Sequence, residues 1–425
     1  MIKNDFEKRY SREPLNRKDP DVENAVQAAK DNTRKAALTS AGYKNPEAMA
    51  YFYDILTTDK REKELIESKA KVTGTYCYFA PEEIIYAAGA VPVRLCSGIY
   101  ETITTSEEVL PRDICPLCKS SLGCRILGLN YTGVVQMIVL PASCDAKKKL
   151  GEYLSDYLPV VMLNLPNVKD YRVSKEVWLR EIKSLKVKLE EFTGKKITKQ
   201  SLKHWTGVLK SRALLFRDIF EMRKKNPGII SHRDFLAFVQ ASFYDDIMRW
   251  MEHGKILKKE LEERIKNYPG FKGERLLLTG APVIFPNFKI LSVIEDLGAL
   301  VTVDELCSGT QRLWDYSEPD EWTMEGMLEA LASRYMLPST CPCFTTSYDR
   351  IDKLLHLAEE FKVDGVVYHD LRLCQLFDME RNLVAKVLAD KNIPVITIHT
   401  EYSQEDTEQV KTRIEAFLEM IRSNV

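Results

Sequence analysis

No apolar run in the 425 residues approaches the roughly 18 needed to span a membrane. Charge of either sign is not in excess. The formal net charge is -1, so no basic field exists to hold nucleic acid or an anionic membrane surface. The opening Met1-Ile2-Lys3-Asn4-Asp5 lacks the pattern of a secretory signal, and the expected location is the cytoplasm. A long chain without an export signal also does not suit a disulfide framework. A further absence is local: there is no cysteine between Cys144 and Cys307.

What is present is an ordinary globular composition, 45% hydrophobic and 29% charged, long enough for two or three cores. Residues 1–70 read as a charged, helical N-terminal arm. In it Asn45-Pro46-Glu47 has the form of a helix cap with proline next, and Tyr51, Phe52, Ile55 and Leu56 share one face. Residues 71–170 read as a first α/β domain with strands Val91–Leu95, Val134–Leu140 and Val160–Leu163. Residues 171–268 read as a helical middle segment. There Trp178, Ile182, Leu185, Leu189 and Phe192 form a core stripe and Gly194 a C-terminal cap. Residues 269–425 read as a second α/β domain with strands beginning at Arg275, Leu300, Gly365 and Pro394. Continuous apolar strands separated by helices predict parallel sheets covered on both faces.

One short phrase occurs twice. Leu95-Cys96-Ser97-Gly98 and Leu306-Cys307-Ser308-Gly309 each follow a helix, a Gly-Ala turn and a strand. The carboxyl ends of parallel strands are where such folds bind ligands, so a repeated unit with a thiol there predicts two half-sites. The ten cysteines fall into a group of six, Cys77 to Cys144, and a group of four, Cys307 to Cys374. Scattered buried thiols explain some of them but not the grouping. Cys115-Pro116-Leu117-Cys118 alone could be a redox pair or half of a zinc site. Cys124 and Cys144 do not complete zinc spacing, and a redox pair leaves Cys307, Cys341 and Cys374 without a role. Single thiols at successive strand ends, about three per α/β unit, suit iron–sulfur ligation better.

These residues resemble the 2-hydroxyacyl-CoA dehydratase / benzoyl-CoA reductase superfamily. The resemblance rests on Cys77 to Glu83 with Ala87-Ala88-Gly89, Cys115 with Lys119-Ser120, Cys144-Asp145, and Asp304-Glu305-Leu306-Cys307. It continues in Cys341-Pro342 with Arg350, Val363 to Val367 leading to Cys374, and Glu401-Tyr402-Ser403 with Thr412 to Glu419. It implies two flavodoxin-like parallel-sheet domains with iron–sulfur chemistry in the cleft between them. It also implies an ATP-hydrolysing iron–sulfur activator protein as electron donor.

Three signature thiols in each half (Cys77, Cys115, Cys144 and Cys307, Cys341, Cys374) match the double-cubane cluster branch, whose [8Fe-9S] cofactor takes six cysteines of one chain. Such proteins resemble ATP-driven reductases of small unsaturated molecules. The alternative is one subunit of an (R)-2-hydroxyacyl-CoA dehydratase with a single [4Fe-4S] cluster. A non-enzymatic scaffold or electron store is a further rival. The internal repeat makes Cys96 rather than Cys77 the counterpart of Cys307, and Cys118 and Cys343 could replace Cys115 and Cys341. His369, just past a strand and titrating near neutrality, is the expected proton donor, its bland alternative being a ring satisfied by backbone groups. Lys119, Ser120, Asp145, Ser308 and Arg372 are candidates to contact cluster sulfurs, with Asp145 or Ser308 equally able to cap a helix. A homodimer is the expected assembly.

Overall fold

The computed structural model describes residues 17–39, 45–169 and 171–423. They divide into two compact units. The first comprises the described residues as far as Val26, with Glu62–Thr206 and Ser317–Leu337. The second comprises Gln27–Arg61, Gly207–Tyr316 and Pro338 onward.

Each unit is built on four parallel strands. In the first unit these are β1 (Val72–Thr75), β2 (Val91–Arg94), β3 (Met137–Pro141) and β4 (Val160–Leu163), in the order β2-β1-β3-β4. In the second they are β5 (Arg275–Gly280), β6 (Leu300–Glu305), β7 (Gly365–Leu371) and β8 (Val395–Thr400), ordered β6-β5-β7-β8. All pairings are parallel. Helices return the chain between neighbours, as parallel pairing requires. This is the flavodoxin-like winding, which reverses direction between the first and third strands of each unit, the position where such sheets bind ligands. The expected class, two flavodoxin-like α/β domains, is the observed one.

The strands extend where apolar runs stop. β6 reaches Glu305 and β7 reaches Leu371, because Asp304, Glu305 and Asp370 are buried in the sheet ends rather than exposed. The helix Arg172–Thr193 buries Trp178, Ile182, Leu185 and Leu189 in the first unit, and Trp178 Nε1 donates to the Ala332 carbonyl at 3.1 Å. It ends, as expected, at Gly194 with a left-handed φ of 70°.

The helix Met49–Thr57 is part of the second unit's core. It buries Phe52 against Phe238 and Trp250, with ring centroids 5.0 and 6.5 Å away. The expected cap at Asn45 is corrected here. The helix starts after Ala48, and the Asn45 amide instead donates to both oxygens of Asp234, at 2.7 and 2.8 Å. Burial pushes the Asp234 carboxyl up to about 7, and a group so desolvated takes any donor within reach. Among the described residues no helix is long and apolar enough to cross a membrane.

Candidate metal centre

The structure sorts the thiols by exposure. In the first unit Cys77, Cys115 and Cys144 are half-buried, while Cys96, Cys118 and Cys124 are buried. Cys124 packs with Val26 and Ile99, the part of a small apolar side chain. In the second unit Cys307, Cys341, Cys343 and Cys374 are all half-buried. All ten are thiols rather than disulfides.

The half-buried thiols of the first unit gather at the carboxyl edge of its sheet. Cys77 follows β1 in a left-handed conformation, φ 58°, which a residue with a side chain adopts only when its surroundings impose it. Cys115 precedes the helix Pro116–Leu127, and Cys144, just past β3, precedes the helix Asp145–Ser155. Both therefore sit at helix N-termini, where the backbone dipole favours negative charge. Among the described residues no three cysteine sulfurs lie within 4.8 Å of one another. A tetrahedral zinc with Zn–S near 2.3 Å would hold its sulfurs about 3.8 Å apart, whereas cubane ligands bind separate irons and stand wider.

A residue that the sequence reading missed lies in the middle of them. Lys147, on the first turn after Cys144, is buried, with Nζ 2.7 Å from Cys77 Sγ and 4.0 Å from Cys96 Sγ. A cation is disfavoured both by burial and by the positive end of a helix. Burial alone would lower its pKa, but Cys77, Cys96, Cys118 and Cys144 outweigh that and hold it above the ordinary lysine value. Burial pushes the Cys144 thiol up to about 11, against the pull of Lys147. Cys96 moves the other way: burial raises it, but Lys147 and Arg94 together leave it below the ordinary thiol value.

In the second unit the segments that carry thiols are tied together by buried charge. Asp304 Oδ1 accepts from the amides of Leu306 (3.0 Å) and Thr310 (2.9 Å), which shapes the loop bearing Cys307. A Cβ on Gly309 would collide with that carboxylate, so glycine is required there. Glu305 accepts from Thr279 Oγ1 at 2.8 Å and from Thr340 and Gln311. Arg350 Nη2 stands 3.3 Å from Glu305 Oε2 and 2.8 Å from Thr279 Oγ1, while its Nη1 is 3.2 Å from Glu380 Oε2. One guanidinium thus joins the end of β6 before Cys307, the end of β5, and the helix Gln375–Asp390 that begins after Cys374. Its own helix, Tyr348–Glu360, follows Cys341.

The strand registers settle the internal repeat. Thr75 pairs with Arg94 and Thr279 with Glu305, immediately before the two Leu-Cys-Ser-Gly copies. Cys96 is therefore the positional counterpart of Cys307, and Ala281 stands where the first unit has Cys77.

Other expected contributors are placed as follows. His369 is 4% exposed, its Nδ1 is 2.9 Å from the Ala281 carbonyl, and burial pushes its pKa down to about 4. A ring so desolvated is uncharged at neutral pH, and its contact with the Ala281 carbonyl braces β7 against the end of β5. Asp145 is exposed and pairs with Lys148, Cys144 taking the cap position. Lys119 is buried against Glu107 and the Arg112 carbonyl, and Ser120 bonds Ser97. Ser308 is buried, and Arg372 lies 3.4 Å from Glu401.

The family model described as 2-hydroxyglutaryl-CoA dehydratase, D-component, matches residues 77–421. The chain belongs to this family. The match begins at Cys77 and takes in every cysteine. YjiM of Escherichia coli (strain K12), provisionally named a dehydratase subunit, is 32% identical over 366 residues, 84% of this chain and 93% of its own length. The (R)-phenyllactyl-CoA dehydratase beta subunit of Clostridium sporogenes is 23% identical, covering 87% and 97%. A component of the benzoyl-CoA reductase of Thauera aromatica is 21% identical, covering 88% and 96%. With dehydratase and reductase components both related to it, the 2-hydroxyglutaryl-CoA dehydratase family member described here falls in the 2-hydroxyacyl-CoA dehydratase / benzoyl-CoA reductase superfamily, as the sequence resemblance implied.

Proposed function

We propose that the chain is a low-potential iron–sulfur reductase of small unsaturated molecules, holding an [8Fe-9S] double cubane through Cys77, Cys115, Cys144, Cys307, Cys341 and Cys374. An ATP-hydrolysing iron–sulfur activator is the proposed electron source. The observation that carries this reading is the group of half-buried thiols in each parallel-sheet unit, three in the first and four in the second, of which Cys341 and Cys343 are near neighbours in the chain. The donor set fits: soft sulfur ligands, helix N-termini at Cys115, Cys144 and Cys374, and a buried ammonium among the first three thiols. Cys77 is preferred to Cys96 because it is half-exposed and Cys96 is sealed at 2%.

When bound, the cofactor supplies electrons at low potential and iron open to substrate. The chain's own residues do the rest. Lys147 offsets negative charge beside Cys77, and Arg350 keeps the segments carrying the second trio in register.

The named relatives favour a second reading, a subunit of an (R)-2-hydroxyacyl-CoA dehydratase with one [4Fe-4S] cluster. Anaerobic purification of the chain alone, with iron and acid-labile sulfide counted, separates the two. About eight irons per chain support the double cubane and about four the dehydratase subunit. Cys144→Ser and Cys307→Ser should each lose the visible iron–sulfur absorption while Cys96→Ser keeps it. Zinc without sulfide would refute both readings.

A further inference from the structure

We propose that Asp370, Asp378 and His399 form a binding site for a divalent first-row transition cation, distinct from the cysteine thiols. Each of the three offers one ligand atom, and these atoms lie within 4.8 Å of one another. The residues sit on rigid elements. Asp370 and His399 are register partners on the adjacent strands β7 and β8, and Asp378 is on the first turn of the helix Gln375–Asp390. Sheet pleat turns register partners to the same face, which is why two residues 29 positions apart meet.

A second observation points to a missing ligand. The Asp370 side chain is fully buried. Its Oδ2 lies 2.9 Å from His399 Nδ1, while Oδ1 finds no hydrogen-bond partner among the described residues. A desolvated carboxylate oxygen without a partner is costly, and a cation removes that cost. Asp378 and His399 are 44% and 36% exposed, so an ion can enter from solvent and complete its shell with water. Arg381, whose Nε is 3.0 Å from Asp378 Oδ1, must turn aside for an ion to bind; its side chain is 36% exposed. One imidazole and two carboxylates suit Mn2+ or Fe2+, whereas soft ions prefer thiolates.

Mn2+ is therefore the probe, because the ten thiols compete for it poorly. The purified full chain is titrated with MnCl2, and unbound Mn2+ is read from its electron paramagnetic resonance signal. The expected result is one ion per chain, with at least a tenfold weaker affinity in Asp378→Asn and in His399→Ala. These variants lie on different elements and alter partly exposed side chains, so misfolding of one, seen by circular dichroism, leaves the other to decide. No uptake by the wild-type chain, or uptake unchanged in a folded variant, overturns the proposal. The readout needs no catalytic activity and no cluster content, so its failure leaves the iron–sulfur reading untouched.

Discussion

Arg350→Met should loosen the second thiol trio without altering any thiol. The arginine is 2% exposed and lies between two carboxylates, Glu305 at 4% and Glu380 at 7%. Removing one partner of a buried ion pair costs about 3–5 kcal/mol, because the remaining charge stays desolvated. At 1.4 kcal/mol per decade, the lower figure corresponds to about a hundredfold faster local opening. Hydrogen exchange read by mass spectrometry on peptides spanning residues 303–313 and 338–350 measures this directly, with no assumption of two-state unfolding. Iron retained after anaerobic gel filtration should fall in parallel. Arg372→Met is the control, since that arginine is half-exposed and its pair with Glu401 is a surface one. The effect has a pH signature. Burial already holds the Glu305 pKa above the ordinary value, and Arg350 works against that rise. An acid raised in the folded state contributes stability at low pH and loses it as pH climbs through its folded pKa. Without Arg350 that upper limit moves higher, so the gap between variant and wild type should widen from acid to neutral pH. Equal protection of the two chains at neutral pH would refute the clamp.

Three further outcomes follow from the same geometry. Lys147→Met removes a buried cation 2.7 Å from Cys77, so the loaded chain should show a more negative reduction potential by voltammetry, with Lys147→Arg restoring most of it; identical potentials would contradict the assignment. Asp234, raised from 3.8 to about 7 by burial, contributes stability that is complete below the lower value and lost as pH rises through the higher. Thermal midpoints should therefore decline across that window, and Asp234→Asn should flatten the decline. His369→Gln should leave the pH profile of activity unchanged near neutrality, because the ring titrates at about 4; a lost limb between pH 6 and 8 would restore it as the proton donor.

Much of the fold was legible because parallel strands buried on both faces are written as continuous apolar runs, and β4 lies where its run does. The ends were not. β6 and β7 continue through Asp304, Glu305 and Asp370; Glu305 and Asp370 find partners on distant segments and Asp304 in the loop that follows it, so hydropathy falls while the backbone pairing persists. Asn45 failed as a cap for a similar reason: its partner, Asp234, is 189 residues away. The repeated Leu-Cys-Ser-Gly correctly announced equivalent strand ends. Its implication for Cys96 competed with the family signature at Cys77, and in the folded chain Cys96 is buried while Cys77 is half-buried. Lys147 had no local mark at all. In Lys147-Lys148-Lys149 three identical residues begin a helix, and only the first turns inward, a distinction made by tertiary packing.

A sealed ammonium has no water to fall back on. Lys147 is answered by sulfur instead, and Cys77 is within reach to answer it. That attraction ties the segment after β1 to the start of the helix Asp145–Ser155.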